Sequence, residues 1–259
     1  MARADEPVVK SDAEIEIMRE AGRIVAIALR EIQRAAKPGV SGDELDALAE
    51  ATIRRFGGIP AFKGYGGYPA NICLSIDDEV VHGIPDSRRL QAGEIVGIDI
   101  GAIINGYYAD SAVSFGIGEI SPEAKRLLGV TKAALHRGID QARAGNRVVD
   151  ISRAVQVHAE KAGYNVVRDL VGHGIGQKMH EPPQVPNMVV GGVSTPLRVG
   201  MTLAIEPMVN MGDWRIKREA DGWTCRTADG SLSAHFEHTI AITEKGPVIL
   251  TREDEATAD

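Results

Sequence analysis

An α+β (α/β) fold of two related halves is predicted by three features of the sequence: amphipathic helices with written-out caps, strand-like segments that follow them, and a tight hairpin between Gly97 and Phe115. Ser11 with Glu14 forms a capping box ahead of Ile17, Met18, Ala21, Ile24, Val25 and Ala28, which recur at helical spacing until Lys37-Pro38-Gly39. A second box, Ser41 with Glu44, opens a stripe of Leu45, Leu48, Ala49 and Ile53 that ends at Gly57-Gly58. Ser121-Pro122 starts a third helix, expected to run to about Ala144-Gly145, and Asp150 is expected to cap a fourth. Lys37-Pro38-Gly39 before Asp43-Glu44-Leu45 resembles Arg143-Ala144-Gly145 before Asp150-Ile151, a weak repeat offset by about a hundred residues. Chance similarity of helix caps is the competing explanation. Strands are expected from Thr202 to Glu206, closed by Pro207, and from Ser233 to Thr243.

The hairpin is the most informative stretch. Asn105-Gly106 suits a type I′ loop, which needs positive φ at both central residues. With that loop Ile104 faces Tyr107, Asp99 faces Ala112 and Asp110 faces Gly101, so both aspartates share one face, roughly 7–8 Å apart. The other face carries Ile98, Ile100, Ala102, Ala109 and Val113, a core face. Two neighbouring carboxylates in apolar surroundings repel each other and resist desolvation unless a proton or cation lies between them. Two aspartates on a solvated face is the plainer reading, and the hairpin alone does not decide.

Composition narrows the functional class. The chain of 259 residues has 29 Lys+Arg against 36 Asp+Glu, a net charge of −7, which disfavours general binding to nucleic acid or an anionic membrane. The first residues lack an apolar secretion core, and no uninterrupted apolar run reaches about 18 residues. Cys73 and Cys225 form no ligand pair by spacing, which suits a reducing cytoplasm.

Three further groups stand where strands or glycine loops would hold them: His173 in VGHGIG, Glu206 ending TLAIE, and Glu237 in AHFEHT. With Asp99 and Asp110 they make one imidazole and four carboxylates, a set suited to divalent first-row ions. Taken singly, a strand-ending glutamate is usually exposed and a histidine in a glycine loop is usually structural. Spacing does not unite residues so far apart.

The five contexts GIDIG, NGYYADSA, GHGIG, AIEP and FEHT, in this order, resemble the metal-ligand signature of the methionine aminopeptidases, and the type I enzymes most closely. The resemblance covers about Ser11 to Thr251. It implies the pita-bread fold, a curved antiparallel sheet covered by helices in two pseudo-symmetric halves, as a single catalytic domain over 11–251, with 1–10 a disordered segment and 252–259 a flexible acidic tail. It implies two divalent ions (Co, Mn, Fe, Zn or Ni), with Asp99 on one, Asp110 and Glu237 bridging, and His173 and Glu206 completing the other. Glu206 would also be the general base toward a bridging water. His82 in VHGIP would contact the scissile amide, and His180 in QKMHEPP would steady the developing oxyanion. Phe62, Tyr65, Tyr68, Cys73, Met179 and Trp223 correspond to the pocket for the methionine side chain, where a thioether packs well against aromatic edges.

The chain departs from the family pattern at Phe62, where several relatives carry cysteine, and at Met179, where many carry phenylalanine. Both keep the pocket apolar and put only its shape in question. His235 stands where glutamine is common; it would donate to Glu237 or bond a neighbour. The implied function is removal of the initiator methionine from nascent chains with a small second residue, at the ribosome, by a cytoplasmic monomer that needs neither membrane nor specific nucleic acid. Two other readings share the fold: an Xaa-Pro aminopeptidase or prolidase, whose extra N-terminal domain has no room here, and a non-catalytic binding protein, which typically loses ligands.

Overall fold

Each half of the molecule is a pair of helices laid on an antiparallel sheet. The structure, a computed structural model, describes residues 6–253. Helices α1 (Asp12–Ala35) and α2 (Gly42–Arg55) begin at Ser11 and Ser41 with both halves of each capping box formed. Their buried stripes, Ile24, Ile32, Leu45 and Ile53 among them, pack on Ile98, Ile100, Ala102 and Ala109 of the hairpin's core face. Burying such a side chain contributes on the order of 2 kcal/mol, so this face holds the hairpin flat beneath the helices.

Helix α3 (Pro122–Gln141) starts at Ser121 as expected but stops short of Ala144, because Ala142 leaves helical φ/ψ and its N–H turns back to Ile139 O. Helix α4 (Val148–Lys161) starts two residues ahead of Asp150. Asp150 closes the end from inside the helix, accepting from Arg147 N at 2.9 Å, while Ser194 Oγ from a distant loop accepts from Val149 N at 2.9 Å.

The hairpin strands Ile95–Ile104 and Tyr107–Gly116 pair in the expected register, with Asp99 opposite Ala112 and Asp110 opposite Gly101. Asn105 and Gly106 have φ of 48° and 81°, the positive pair that the loop requires. The strands Ile72–Ile76 and Ile59–Pro60 complete this four-stranded sheet. The second half holds a five-stranded sheet in the order Gly246–Ile249, His238–Thr243, Thr202–Ile205, Val171–Gly174, Glu181–Pro186, with Ile139, Ile151 and Leu203 in the core between it and α3 and α4. Two halves of like build agree with the weak repeat.

The strand expected over 233–243 is broken. Ser233–His235 pairs with Met208–Asn210, whereas His238–Thr243 pairs with Thr202–Ile205, so Glu206-Pro207 and Phe236-Glu237 drop out of the ladder together. Pro207 has no N–H to give. Glu237 is thereby free to join the hairpin, donating to Ala112 O at 2.9 Å and accepting from Ala112 N at 3.4 Å. The two sheets are stitched together at this point.

Of the segments expected to be disordered, 1–5 and 254–259 lie outside the described residues; Val9 forms a bridge with Met201 and Lys10 is buried. Among the described residues no helix is long and apolar enough to cross a membrane.

Candidate metal centre and active site

The seam between the sheets brings four carboxylates and a histidine together. Asp99 and Asp110 come from the hairpin, Glu237 from the broken strand, Glu206 from the residue after Thr202–Ile205, and His173 from Val171–Gly174. Local bonds hold each backbone. Asp110 N donates to Thr239 Oγ1 at 3.0 Å and Thr239 Oγ1 donates to Asp110 O at 2.8 Å. Ser111 Oγ donates to Glu237 O at 2.6 Å, and Ser114 Oγ donates to His235 O at 2.8 Å. The hairpin thus fixes the neighbouring strand by its hydroxyls. Alternation along the strand puts Ser111 on the core-facing side with Ala109 and Val113 and Ser114 on the side of Asp110, and neither placement discloses what the hydroxyl binds.

The electrostatics are those of a site short of positive charge. Burial pushes the Asp99 carboxyl up to about 7. Asp110 is raised well above the usual carboxylate range by burial and then by Glu237 and Asp99, Glu206 by burial and Asp110, and Glu237 by burial and Glu206. Asp99 Oδ1, Asp110 Oδ1 and Glu237 Oε1 are buried without a hydrogen-bond partner. Buried anionic oxygens that face one another without donors need a cation. Ligand atoms of Asp110, His173 and Glu237 lie within 4.8 Å of one another, close enough to share an ion. His173 Nδ1 lies 2.9 Å from Gly174 O, and a carbonyl only accepts, so Nδ1 carries the proton and Nε2 presents a lone pair. Burial holds the His173 ring neutral, with its pKa down to about 3. The donor set fits hard to borderline divalent ions.

His235 does not turn to Glu237. Its Nε2 has no hydrogen-bond partner and lies 3.8 Å from Glu206 Oε2, while His173 Nε2 lies 3.6 Å from Glu206 Oε1. Burial keeps His235 neutral as well, so these are contacts of an imidazole with a carboxyl and not ion pairs.

All thirteen residues singled out in the sequence line one cavity of about 180 Å³. Its apolar side is built from Phe62, Tyr68, Cys73 and Met179, each less than a tenth exposed, with Trp223 set edge-on to Tyr68 at 5.1 Å between ring centres. Cys73 pairs with Asp99 across the strands; burial and the Asp99 charge push its thiol well up, so the sulfur faces the pocket uncharged. Tyr68 has a second task. Its hydroxyl donates to Gly83 O at 2.8 Å, and Leu74 N donates to the same oxygen at 2.8 Å. They pin the residue after His82, which sits at φ 60°, a left-handed conformation rare for a side chain of this size. Burial and then Arg218 bring the His82 pKa down to about 4. His180 rests against His173, 4.3 Å between ring centres, and its Nδ1 lies 2.7 Å from the Tyr65 hydroxyl. Burial lowers its pKa too. At neutral pH both rings are neutral and able to donate an N–H.

The description "Metallopeptidase family M24" matches residues 16–244, and the chain belongs to that family. Within it the chain falls among the methionine aminopeptidases. It is 53% identical to the methionine aminopeptidase of Clostridium acetobutylicum over 245 residues, 94% of this chain and 98% of that one. The crystal structure of methionine aminopeptidase from Thermotoga maritima superposes with a TM-score of 0.94 at 46% identity, covering 96% of this chain and all of the other. Prolidase from Pyrococcus furiosus shares the fold alone, at 23% identity and a TM-score of 0.77, and this chain covers 66% of it. The pita-bread architecture expected from the motifs is the one found.

Proposed function

We propose that the protein removes the initiator methionine from nascent chains whose second residue is small, acting in the cytoplasm as a monomer on chains emerging from the ribosome. The observation that carries this reading is the single cavity in which an apolar, sulfur-accepting pocket opens onto the carboxylate cluster. An aminopeptidase for methionine needs those two surfaces side by side, one for the thioether and one for the scissile bond.

Asp99, Asp110, His173, Glu206 and Glu237 would hold two divalent ions, of Co, Mn, Fe, Zn or Ni, with Asp110 and Glu237 reaching both. When bound, the ions supply a water activated at neutral pH and polarise the carbonyl. Phe62, Tyr65, Tyr68, Cys73, Met179 and Trp223 receive the methionine side chain and set the scissile carbonyl over the cluster. Glu206 takes a proton as water oxygen bonds to the carbonyl carbon. It returns that proton to the amide nitrogen as the C–N bond breaks. His82 donates an N–H to the scissile amide, and His180 donates one to the carbonyl oxygen as its charge grows. A donor of this second kind is worth about 3 kcal/mol, because it acts more strongly on the transition state than on the substrate.

Protein loaded with Co, Mn or Fe is expected to release methionine from Met-Ala-Ser and to leave Ala-Pro nearly untouched. The reverse preference, measured as kcat/KM, would overturn the substrate assignment in favour of the Xaa-Pro reading. The carboxylates also give a pH test. Asp99 has a folded pKa of about 7 against an unfolded value of 3.8, so between those limits the folded state holds more protons than the unfolded one. Stability then falls as pH rises through that interval. Chelator-treated protein should lose stability from about pH 4 to about pH 7, while metal-loaded protein keeps cations against the same oxygens. The gap in Tm between loaded and chelated samples is therefore expected to widen with pH. A gap that stays constant or narrows would count against these residues as ligands.

A further inference from the structure

We propose that the buried Lys10–Glu181 ion pair positions His180, tying the turn that carries it to the segment that leads into Glu206. The inference rests on the reading of His180 as the donor to the oxyanion. Lys10 Nζ lies 2.5 Å from Glu181 Oε2, and the two side chains are 3% and 6% exposed. Glu181 Oε1 accepts from Lys178 N at 3.1 Å, closing the turn that holds Met179 and His180. One carboxylate therefore shapes the turn with one oxygen and anchors it with the other. On the far side, Lys10 N donates to Gly200 O at 2.7 Å and Val9 bridges Met201, immediately before the strand Thr202–Ile205 that leads into Glu206. Packing closes the joint: a Cβ on Gly176 would come within 2.4 Å of Lys10 Cε and 2.8 Å of Glu181 Oε1. A second strut runs from Gln177 Nε2 to the Tyr107 hydroxyl at 3.1 Å, and from that hydroxyl to Glu14 Oε1 at 2.6 Å.

His180 needs such a support. It is exposed, and the Tyr65 hydroxyl beside its Nδ1 comes from an exposed glycine-rich loop. A buried ion pair is a poor device for stability alone, since desolvation offsets much of its attraction and a well-packed apolar pair often does as well. What the pair adds is direction, because the carboxylate must meet Lys10 and Lys178 N at once. Misplacing a group by about 1 Å can cost about 100-fold in rate.

The test is a double-mutant cycle on the full-length, metal-loaded protein, with kcat, KM and metal content measured on Met-Ala-Ser. Lys10→Met is expected to lower kcat about 10- to 100-fold, with KM and metal content near wild type and Lys10→Arg recovering part of the loss. In a His180→Ala background the same change is expected to alter kcat by less than about twofold, because the group it positions is gone. If Lys10→Met fails to fold through its uncompensated carboxylate, Lys10→Met with Glu181→Gln removes that charge and should show the same kcat loss. Wild-type kcat in the folded Lys10 variant, or an equal loss with and without His180, would overturn the inference and leave the His180 reading standing. Wild-type kcat in His180→Ala would overturn both.

Discussion

Glu206→Gln is expected to lower kcat by about 10³- to 10⁴-fold on Met-Ala-Ser while the protein stays folded, the range general acid–base groups supply together with some disturbance of metal binding. At about 1.4 kcal/mol per decade this is a loss of roughly 4–5.5 kcal/mol of transition-state stabilisation. The amide keeps an oxygen where the carboxyl had one and has nearly the same volume. It cannot accept a proton and hand it on. The side chain is only 14% exposed and faces the imidazoles of His173 and His235, whose pKa values burial lowers to about 3, so both are bases too weak to take over. KM is expected to change little, because the substitution leaves Phe62, Tyr68, Met179 and Trp223, the residues proposed to receive the methionine side chain, as they are. The discriminating measurement is single-turnover kinetics beside metal content. Turnover within tenfold of wild type at equal metal content would remove Glu206 from the role of base.

The parts of this site that were legible in the sequence are those set by local rules. Asn105-Gly106 permits one loop length, and a two-residue loop leaves one register, so the juxtaposition of Asp99 and Asp110 followed from counting. The caps of α1 and α2 were readable because donor and acceptor lie three residues apart. The start of α4 was not, since its capping oxygen comes from Ser194, 45 residues beyond the amide it serves. Nor was the partner of His235. Strict alternation along 233–243 pairs it with Glu237, but the strand changes partners at Pro207 and the ring faces Glu206 instead. The convergence of His173, Glu206 and Glu237 on the hairpin came from resemblance to a family, and no periodicity in the chain encodes it. Lys10 and Glu181, 171 residues apart, carried no signal at all.

Asp110→Asn is expected to move function and stability in opposite directions. Asp110 is 5% exposed, its Oδ1 has no donor, and burial together with Glu237 and Asp99 raises its pKa far above the usual range. Replacing it with the neutral isostere removes the cost of either holding that charge among the other carboxylates or taking up a proton to bury it. Under chelator near neutral pH the variant should therefore melt at a higher temperature than wild type, as expected when a site strained for function is relieved. With metal the order reverses. Losing an outer partner of a ligand typically costs 10- to 100-fold in metal affinity, so losing a carboxylate proposed to reach both ions should cost at least about 100-fold. Metal per chain is then expected to fall and turnover with it. On the proposed roles Asp99 serves one ion and Asp110 both, so Asp99→Asn should retain more metal than Asp110→Asn. The ranking follows from position: Asp110 sits where the hairpin meets Glu237 and is clamped through its backbone by Thr239, whereas Asp99 stands one diagonal step away beside Cys73. Calorimetric titration of metal into both variants, with melting curves in chelator, reads both quantities on the same samples. If Asp110→Asn melts below wild type in chelator, the carboxylates of this cluster stabilise the metal-free fold, and the case for a cation between them loses its physical ground.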